Sequence, residues 1–312
     1  MSAAQGIGLG EQQQSEDEGK GGGPTTPSRA GRFRGAPYLL LLPGMAWLAI
    51  FFLAPLVTLL STSTQTRPEG AEIGVYTQTW RFANYTETLS DYAATFGRSF
   101  LYAFIATVLA LAISYPLAYA IAFKAGRWRN LLLVLVVAPF FVSFLLRTVA
   151  WKQILADEGW VVSALQFLHV LGPQDHIINS APAVVIGITY NFLPFMILPI
   201  YASLERVDPR LMEAAGDLYA NAFTTMRKVT FPLSMPGVVA GTLLTFIPAA
   251  GDYINSALLG NRGTTMVGNV IDSRFLKVVD YPTAAVLSVS LMASILLLVF
   301  FYIRRSGTEE LV

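Results

Sequence analysis

The sequence predicts an all-α integral membrane protein with six transmembrane helices. Of its 312 residues, 54% are hydrophobic and only 13% are charged, whereas soluble domains carry about 25% charged residues. The apolar residues are gathered in runs long enough for a helix to cross about 30 Å of hydrocarbon. Six such runs occur: 38–60, 99–123, 131–146 with an interfacial extension to about 151, 182–204, 235–254 and 281–302. Six helices in lipid therefore account for almost the whole chain.

Overall charge and cysteine content exclude several classes of function. The formal net charge is only +1, and a nucleic-acid-binding protein would need a basic excess. The chain has no cysteine, which excludes disulfides, thiolate metal sites, iron–sulfur clusters and cysteine nucleophiles. His169 and His176 lie in one loop at a spacing that favours no metal geometry. We therefore expect no nucleic-acid partner and no metal site.

The distribution of basic residues indicates the orientation. Thirteen of the 21 Lys and Arg residues lie in the two tails and in the loops 124–130 and 205–234, and eight lie in the other three loops. Because basic residues stay on the cytoplasmic side, we expect both termini in the cytoplasm and the loops 61–98, 147–181 and 255–280 outside. Residues 1–36 are poor in large apolar residues and are predicted to form a disordered cytoplasmic tail. The transmembrane domain then covers 37–303, and 304–312 form a second cytoplasmic tail.

The loop 205–234 is too polar for the membrane and too regular for a plain linker. Asp208 and Pro209 suit the N-cap and the first residue of a helix. Apolar residues follow at helical spacing: Leu211, Ala214, Ala215, Leu218 and Ala222. A second short helix is expected around 222–229, ending before Phe231-Pro232, because proline breaks a helix.

Charged residues divide between these two short helices. Glu213 and Asp217 lie one turn apart on the first, and Arg227 and Lys228 lie on the second. A solvated connector is the plain alternative for a loop of this size, but it has no need of small residues beside an acid. We favour the interpretation that another protein docks on this loop and pairs one of its basic side chains with Glu213.

This loop resembles the EAA motif of the MetI-like permeases of ABC importers, in particular those of the spermidine/putrescine (PotB) type. The motif is Glu213-Ala214-Ala215, followed after sixteen residues by Pro232 and then by Pro236-Gly237. The resemblance covers about 35–302 and includes further segments in order: Pro139-Phe140-Phe141, Leu146-Arg147-Thr148 with Trp151, 190–195, 208–210, 246–249, 258–260 and 266–269.

The motif departs from the family pattern at one position. The family usually has glycine six residues after the motif glutamate, where this chain has Tyr219, with Gly216 earlier instead. Glycine at that position permits a sharp turn between the two short helices. Asn221 is the candidate for a left-handed conformation in its place.

The resemblance implies a six-helix type I importer permease in a bacterial inner membrane, with a coupling helix between helices 4 and 5. Its partners would be two ABC ATPase subunits, a second permease of the PotC type and an extracytoplasmic polyamine-binding protein. ATP and Mg would be bound by the ATPase subunits, and this chain would hold no cofactor and no catalytic residue. The residues implied to couple it to the ATPase are Glu213, Ala214, Ala215, Gly216, Asp217, Arg227 and Lys228.

Polar residues within the spans are the candidates for the substrate pathway. Asp252 lies at the outer end of the fifth span, and a carboxylate in the membrane is costly unless it faces a cavity or a partner. A polyamine would be recognised by carboxylates at its ammonium groups and by aromatic faces along its methylenes. We therefore predict a pathway that includes Asp252, Tyr253, Tyr190 and Asn191. The alternative is that Asp252 lies at the interface, touching headgroups or water.

Prolines inside the spans free backbone carbonyls, which a water-lined pathway or a neighbouring helix can satisfy. Pro194 and Pro248 lie near the middle of their spans and are the candidates for a gate. The alternative for each proline is a kink that only shapes helix packing.

Other functions fit the sequence less well than a polyamine importer. An importer permease for another small solute is the nearest alternative. An ion-coupled secondary transporter would need ionisable groups, and the spans contain almost none away from their ends. A membrane enzyme would need a catalytic motif, and we find neither H-E-x-x-H nor G-x-S-x-G.

Overall fold

A computed structural model describes residues 36–169, 171–172 and 175–306. The predicted tail 1–36 lies outside these residues except for Ala36, and the predicted tail 304–312 lies outside them from 307 onward. The chain divides into two compact units, one ending at Leu53 and the other beginning at Ala54.

The described residues are almost entirely helical. The α-helices are α1 (Ala36–Leu48), α2 (Ala54–Thr62), α3 (Ala83–Tyr119), α4 (Arg129–Val137), α5 (Phe144–Ile154), α6 (Trp160–Phe167), α7 (Ala181–Glu205), α8 (Pro209–Asp217), α9 (Ala222–Thr225), α10 (Phe231–Leu233), α11 (Met235–Ala250), α12 (Ile254–Leu259), α13 (Val267–Asp272) and α14 (Tyr281–Ser306). π-helical turns cover Ala49–Leu53, Ala120–Lys124, Met226–Thr230 and Ser273–Lys277, and 3₁₀ turns cover Gly126–Trp128, Ala138–Phe141 and Arg262–Thr264. A small antiparallel hairpin joins β1 (Gln65–Thr66) to β2 (Thr77–Gln78), with Gln65 opposite Gln78.

The prediction of an all-helical membrane fold is confirmed. Within the described residues, four helices are long and apolar enough to cross a membrane, and two bent helix pairs raise the number to six. The four are Leu41–Thr62, Ala83–Lys124, Ala181–Glu205 and Tyr281–Arg304, and the pairs are Gly126–Phe141 with Phe144–Ile154 and Ala222–Leu233 with Met235–Ala250. Each of the six predicted spans corresponds to one of these segments.

Two predicted spans are not straight helices. The third is bent by 97° between Phe141 and Phe144, because Val142 and Ser143 have extended backbone with ψ of 138°. The fifth ends as a helix at Ala250 rather than continuing to 254, which leaves Asp252 outside any helix. The bend inside 131–146 was not predicted, and the helix of the fifth span ends four residues before the end of the predicted span 235–254.

Helix α7 lies at the centre of the second unit, and its largest interfaces are with α3 and α11. Its N-terminal half packs its aliphatic residues against Ala103 and Ala106 of α3, and its C-terminal half packs against Ala110 and Ala118. Small residues let membrane helices approach closely. Close contact matters because apolar side chains gain little by leaving lipid, so the helices associate mainly through van der Waals packing.

The interface of α7 with α11 depends on glycine. A Cβ atom on Gly237 would lie 2.5 Å from the carbonyl oxygen of Pro199 and 3.0 Å from the Cα of Ile200. Both atoms belong to the backbone of α7 and cannot move aside without moving the helix. The packing of the two helices therefore excludes any side chain at position 237.

Gly237→Ala is expected to destabilise the protein by about 1–3 kcal/mol, the usual cost of overpacking. Gly97→Ala is the matched control, because a Cβ there meets no atom within 4 Å and alanine improves helix propensity by about 1 kcal/mol. Thermal unfolding of the purified variants should give a lower midpoint for the first and an equal or higher midpoint for the second. Equal midpoints for both variants would contradict the close packing of α7 and α11.

Candidate functional site

The loop 205–234 begins with the predicted helix α8. Pro209 is its first residue, and the Asp208 carboxylate accepts a hydrogen bond from the backbone N–H of Arg210 at 2.9 Å. This N-cap confirms the predicted helix start. The side chains of Glu213 and Asp217 are exposed on α8, as are Ala214 and Gly216, whereas Ala215 is half-buried.

Helix α8 ends in a Schellman motif. The N–H of Ala220 donates to the carbonyl of Ala215 at 3.0 Å, and the N–H of Tyr219 donates to the carbonyl of Gly216 at 2.9 Å. This motif requires a left-handed residue after the helix, which is usually glycine. Tyr219 takes that conformation, with φ of +58°, although it costs an L-residue roughly 1–2 kcal/mol.

Asn221 does not adopt the left-handed conformation expected for it. Its φ is −74°, and its side chain accepts a hydrogen bond from the N–H of Thr224 at 2.8 Å. The expectation was wrong because the position that needs a left-handed residue is set by the end of α8. Asn221 instead provides the N-cap of α9.

The second short helix also differs from its prediction. The chain stays helical from Ala222 to Leu233 through the π-helical turn Met226–Thr230, and the break falls at Ser234. The expected end before Phe231-Pro232 was wrong, because helical backbone continues from the π-helical turn through Pro232 to Leu233. Arg227 and Lys228 are exposed on the π-helical turn.

The charged groups of this loop are available to a partner. Among the residues that the structure describes, none of the ion pairs involves Glu213, Asp217, Arg227 or Lys228. The loop therefore presents acids on α8 and bases on the following turn, both facing solvent.

A second polar cluster lies at the break after α11. Asp252 is only 6% exposed. Its two carboxylate oxygens accept hydrogen bonds from the backbone N–H of Asn255 at 2.9 Å and from the Asn255 side-chain amide at 3.0 Å. The amide oxygen of Asn255 accepts from Nδ2 of Asn191 at 2.9 Å, and the same Nδ2 donates to the Thr148 hydroxyl at 3.1 Å. This buried polar cluster joins α5, α7 and α12.

The carboxylate of Asp252 sets the orientation of every amide in the buried polar cluster. A carboxylate only accepts hydrogen bonds, so the NH₂ group of Asn255 must point to it and the Asn255 oxygen must point to Asn191. The NH₂ group of Asn191 then points to Asn255, which leaves the Oδ1 atom of Asn191 buried without a hydrogen-bond partner. A buried acceptor in this state favours a donor from a ligand or from water.

The structure brings together two of the four predicted pathway residues. Asp252 and Asn191 are linked through Asn255, which the sequence analysis missed, as it missed Thr148 as a member of this cluster. Tyr253 is exposed beside Asp252. Tyr190 packs edge-on against Trp151, with ring centroids 5.2 Å apart.

The two predicted gate prolines occupy different surroundings. Pro194 is buried in α7 and, together with Tyr190, lines an apolar cavity of about 290 Å³ that α3 and α4 also border. Pro248 is exposed on α11. Within the described part of the chain, no three metal-ligating side chains are grouped to hold an ion, and His176 instead bonds Asp157 at 2.8 Å.

Residues 114–306 match a family described as the binding-protein-dependent transport system inner membrane component. The chain belongs to this family. It is 38% identical over 262 residues to the spermidine/putrescine transport system permease protein PotB of Haemophilus influenzae, which covers 84% of this chain and 91% of that protein. It is 35% identical over 263 residues to PotB of Escherichia coli, covering 84% and 94%.

Solved structures support the same fold. The structure of a bacterial ABC transporter involved in the import of the acidic polysaccharide alginate matches with a TM-score of 0.64 at 17% identity, covering 86% of this chain and 94% of that one. Membership of the family confirms the resemblance carried by the EAA motif. This chain is therefore a multi-pass permease component of a transport system, and its relatives are permeases rather than enzymes.

Asp252→Asn is expected to destabilise the protein, because an amide NH₂ would face the NH₂ group of Asn255 in a buried site. The loss of one buried hydrogen bond with its acceptor costs about 1–3 kcal/mol. Asp272→Asn is the matched control, since no side-chain hydrogen bond or ion pair of Asp272 occurs among the described residues. Thermal unfolding of both variants checks the prediction, and an unchanged midpoint for Asp252→Asn would show that the carboxylate does not hold the cluster.

Proposed function

We propose that this chain is a permease subunit of an ATP-driven ABC importer for polyamines such as spermidine and putrescine. The observation that carries the proposal is the 35–38% identity to PotB proteins over 84% of the chain. These alignments include both the loop 205–234 and the buried polar cluster, because they leave little of either chain uncovered. The chemistry of the cluster agrees with a cationic substrate, since its members offer oxygen acceptors.

We infer that the chain works with partners of three kinds. Two ABC ATPase subunits would bind ATP and Mg and dock on the loop 205–234. A second permease subunit, of the PotC type, would complete the pathway, and an external polyamine-binding protein would deliver the substrate. The thirteen basic residues on one side support an orientation with both termini in the cytoplasm, in a bacterial inner membrane.

The ends of the loop are built to pass motion to the membrane helices. Only Arg206, Val207 and Asp208 separate α7 from α8, and only Ser234 separates α10 from α11. The Ser234 hydroxyl lies 2.9 Å from the phenol oxygen of Tyr115 on α3. Because these joints are short and partly buried, a partner that displaces α8 would move α7 and α11 with it.

In this mechanism, ATP binding shifts the population between two packings of the same helices. Glu213 would pair with a base in the ATPase subunit, and Arg227 or Lys228 would pair with acids at its rim. The outward-open packing would accept a polyamine from the binding protein, and the inward-open packing would release it to the cytoplasm.

We place the substrate pathway beside the break after α11. Both oxygens of Asp252 are already bonded to Asn255, so Asp252 would act on the substrate through its negative charge and through the amides it orients. The unpaired Oδ1 of Asn191 is then the acceptor best suited to an ammonium group. The exposed ring of Tyr253 would contact the methylenes.

Glu213→Ala is expected to lower polyamine uptake at least about tenfold, in line with loss of a central charged contact, while the chain remains in the membrane. Uptake and ATP hydrolysis would be measured with the whole complex in proteoliposomes. Glu72→Ala is the matched control, because Glu72 is exposed in a loop assigned to the other side of the membrane. Wild-type transport by Glu213→Ala would exclude the coupling role.

Uptake of labelled spermidine by cells carrying the complex should stop when ATP is depleted while the ion gradient is kept. Unlabelled putrescine should compete with the label, and an acidic sugar should not, because oxygen acceptors and a carboxylate repel an anion. Uptake that persists without ATP would instead indicate an ion-coupled carrier. Competition by the acidic sugar alone would reassign the substrate.

A further inference from the structure

The apolar cavity between α3, α4 and α7 has no part in the proposed transport mechanism. Its volume is about 290 Å³, and of the described residues that line it only Tyr190 has a polar side-chain atom. The lining extends along α7 from Tyr190 to Ile197, which is about 10 Å of helix axis. No lining carboxylate is present to pair with an ammonium group of a polyamine. The cavity therefore suits a hydrocarbon chain better than a cation.

The cavity is accessible from the surface of this chain. Leu135 of α4 lines the cavity and is itself 57% exposed. Val134, the preceding residue, is 62% exposed. Exposed apolar residues on a membrane-spanning segment are covered by lipid tails or by another chain. A lipid tail can therefore reach the cavity along the exposed face of α4.

A strongly basic turn lies at one end of the cavity. This basic turn, residues 124–130, connects α3 and its π-helical extension to α4, and it contains Lys124, Arg127 and Arg129 but no acid. Ile121, three positions before Lys124, lines the cavity. Three residues of helix cover only about 5 Å. The basic turn and the end of the cavity are therefore neighbours.

Two of the three bases in the basic turn are available to a ligand. The guanidinium of Arg129 forms an ion pair with Glu205 and donates a hydrogen bond to the Tyr201 hydroxyl. Lys124 and Arg127 are exposed. In the part of the chain that the structure describes, neither of them forms an ion pair. Two positive charges thus lie uncompensated beside the apolar cavity.

Aromatic residues indicate that these two bases lie at the level of the lipid headgroups. The Lys124 ammonium lies 5.9 Å from the centre of the Tyr119 ring, and the Arg127 guanidinium lies 5.4 Å from that of the Trp128 ring. Trp128 is 55% exposed. Exposed tryptophan next to basic residues is typical of the membrane–water interface. Lipid phosphates lie at this same level.

We propose that the cavity and the basic turn together form a binding site for one anionic phospholipid of the cytoplasmic leaflet. One acyl chain fills the cavity, and the headgroup phosphate pairs with Lys124 and Arg127. Basic pockets between transmembrane helices on the cytoplasmic side bind anionic headgroups in this way. The inference rests on the orientation given in the proposed function, but it does not depend on the proposed substrate.

Native mass spectrometry of the purified, delipidated complex tests the headgroup half of the site. Phosphatidylglycerol and phosphatidylcholine with the same acyl chains would be titrated in turn. We expect the wild type to prefer phosphatidylglycerol at least about tenfold, and Lys124→Gln and Arg127→Gln each to weaken its binding about fivefold, the effect of one base near a lipid surface.

Arg304→Gln is the matched control for the two charge variants. Arg304 is exposed near the end of α14, on the same assigned side of the membrane, and it does not line the cavity. This variant should bind phosphatidylglycerol like the wild type. Equal losses in all three variants would show only a general attraction of bases to anionic lipid, and would overturn the proposed site.

Leu132→Trp tests the acyl-chain half of the site, because Leu132 is half-buried and lines the cavity. A larger side chain there should exclude the acyl chain and weaken binding of both lipids about tenfold. Leu131→Trp is the matched control, since Leu131 is 47% exposed and does not line the cavity. Thermal unfolding checks that both variants fold, and Leu135→Trp replaces Leu132→Trp if the latter does not.

Equal lipid binding by the cavity variant and by Leu131→Trp would overturn the proposal, and it is the result expected if another chain covers the cavity. Glycerol 3-phosphate in excess should not displace phosphatidylglycerol, because it has the phosphate but no acyl chain. Displacement would also overturn the proposal. A complex that binds phosphatidylglycerol as described but imports no polyamine would refute only the proposed function, since these measurements do not involve transport.

Discussion

The fold depends on one constraint, which is that lipid cannot satisfy the polar groups of an interrupted helix. The break between α11 and α12 meets this constraint with side chains from several elements. Asn255 bonds Asp252 within the break, and the Asn269 side chain donates to the carbonyl of Tyr253 at 2.7 Å. Gly268 permits this approach, because a Cβ there would lie 2.5 Å from the carbonyl oxygen of Gly251. The polar cluster at the break is therefore a structural requirement of the fold.

The same constraint bears on the role that we propose for Asp252. The Asp252 carboxylate accepts both of its hydrogen bonds from Asn255 and so keeps the amides of Asn255 and Asn191 in one orientation. The proposed pathway for cations would use oxygen acceptors that are held in a fixed orientation. If Asp252 left Asn255 to contact the substrate directly, the backbone N–H of Asn255 would lose its acceptor in the break, so in the proposed function Asp252 positions the acceptors.

The sequence predicted the elements whose signals are local and missed those that depend on neighbours. Runs of apolar residues located the four long apolar helices and the two bent pairs, and Asp208-Pro209 located the start of α8. The bend at Val142 and Ser143, where both side chains are exposed, has no comparable local signal. Asn255 was missed for the same reason, since an asparagine in a short apolar segment acquires its role only when Asp252 and Asn191 are close. At Tyr219, the residue type argued against a left-handed turn, but the end of α8 determined the conformation.

Helix α11 connects the two polar regions of the protein. It begins at the Ser234 joint, which closes the loop 205–234, and it ends at the break that Asp252 and Asn255 hold. Along its length it lies against α7 through Gly237 and Gly241, where a Cβ on Gly241 would lie 3.1 Å from the carbonyl oxygen of Met196. Contacts this close allow little sliding, so α7 and α11 behave as one body. Under the proposed mechanism, a displacement applied to the loop would reach the buried polar cluster by rigid movement, with no need for a chain of intermediate side chains to carry it.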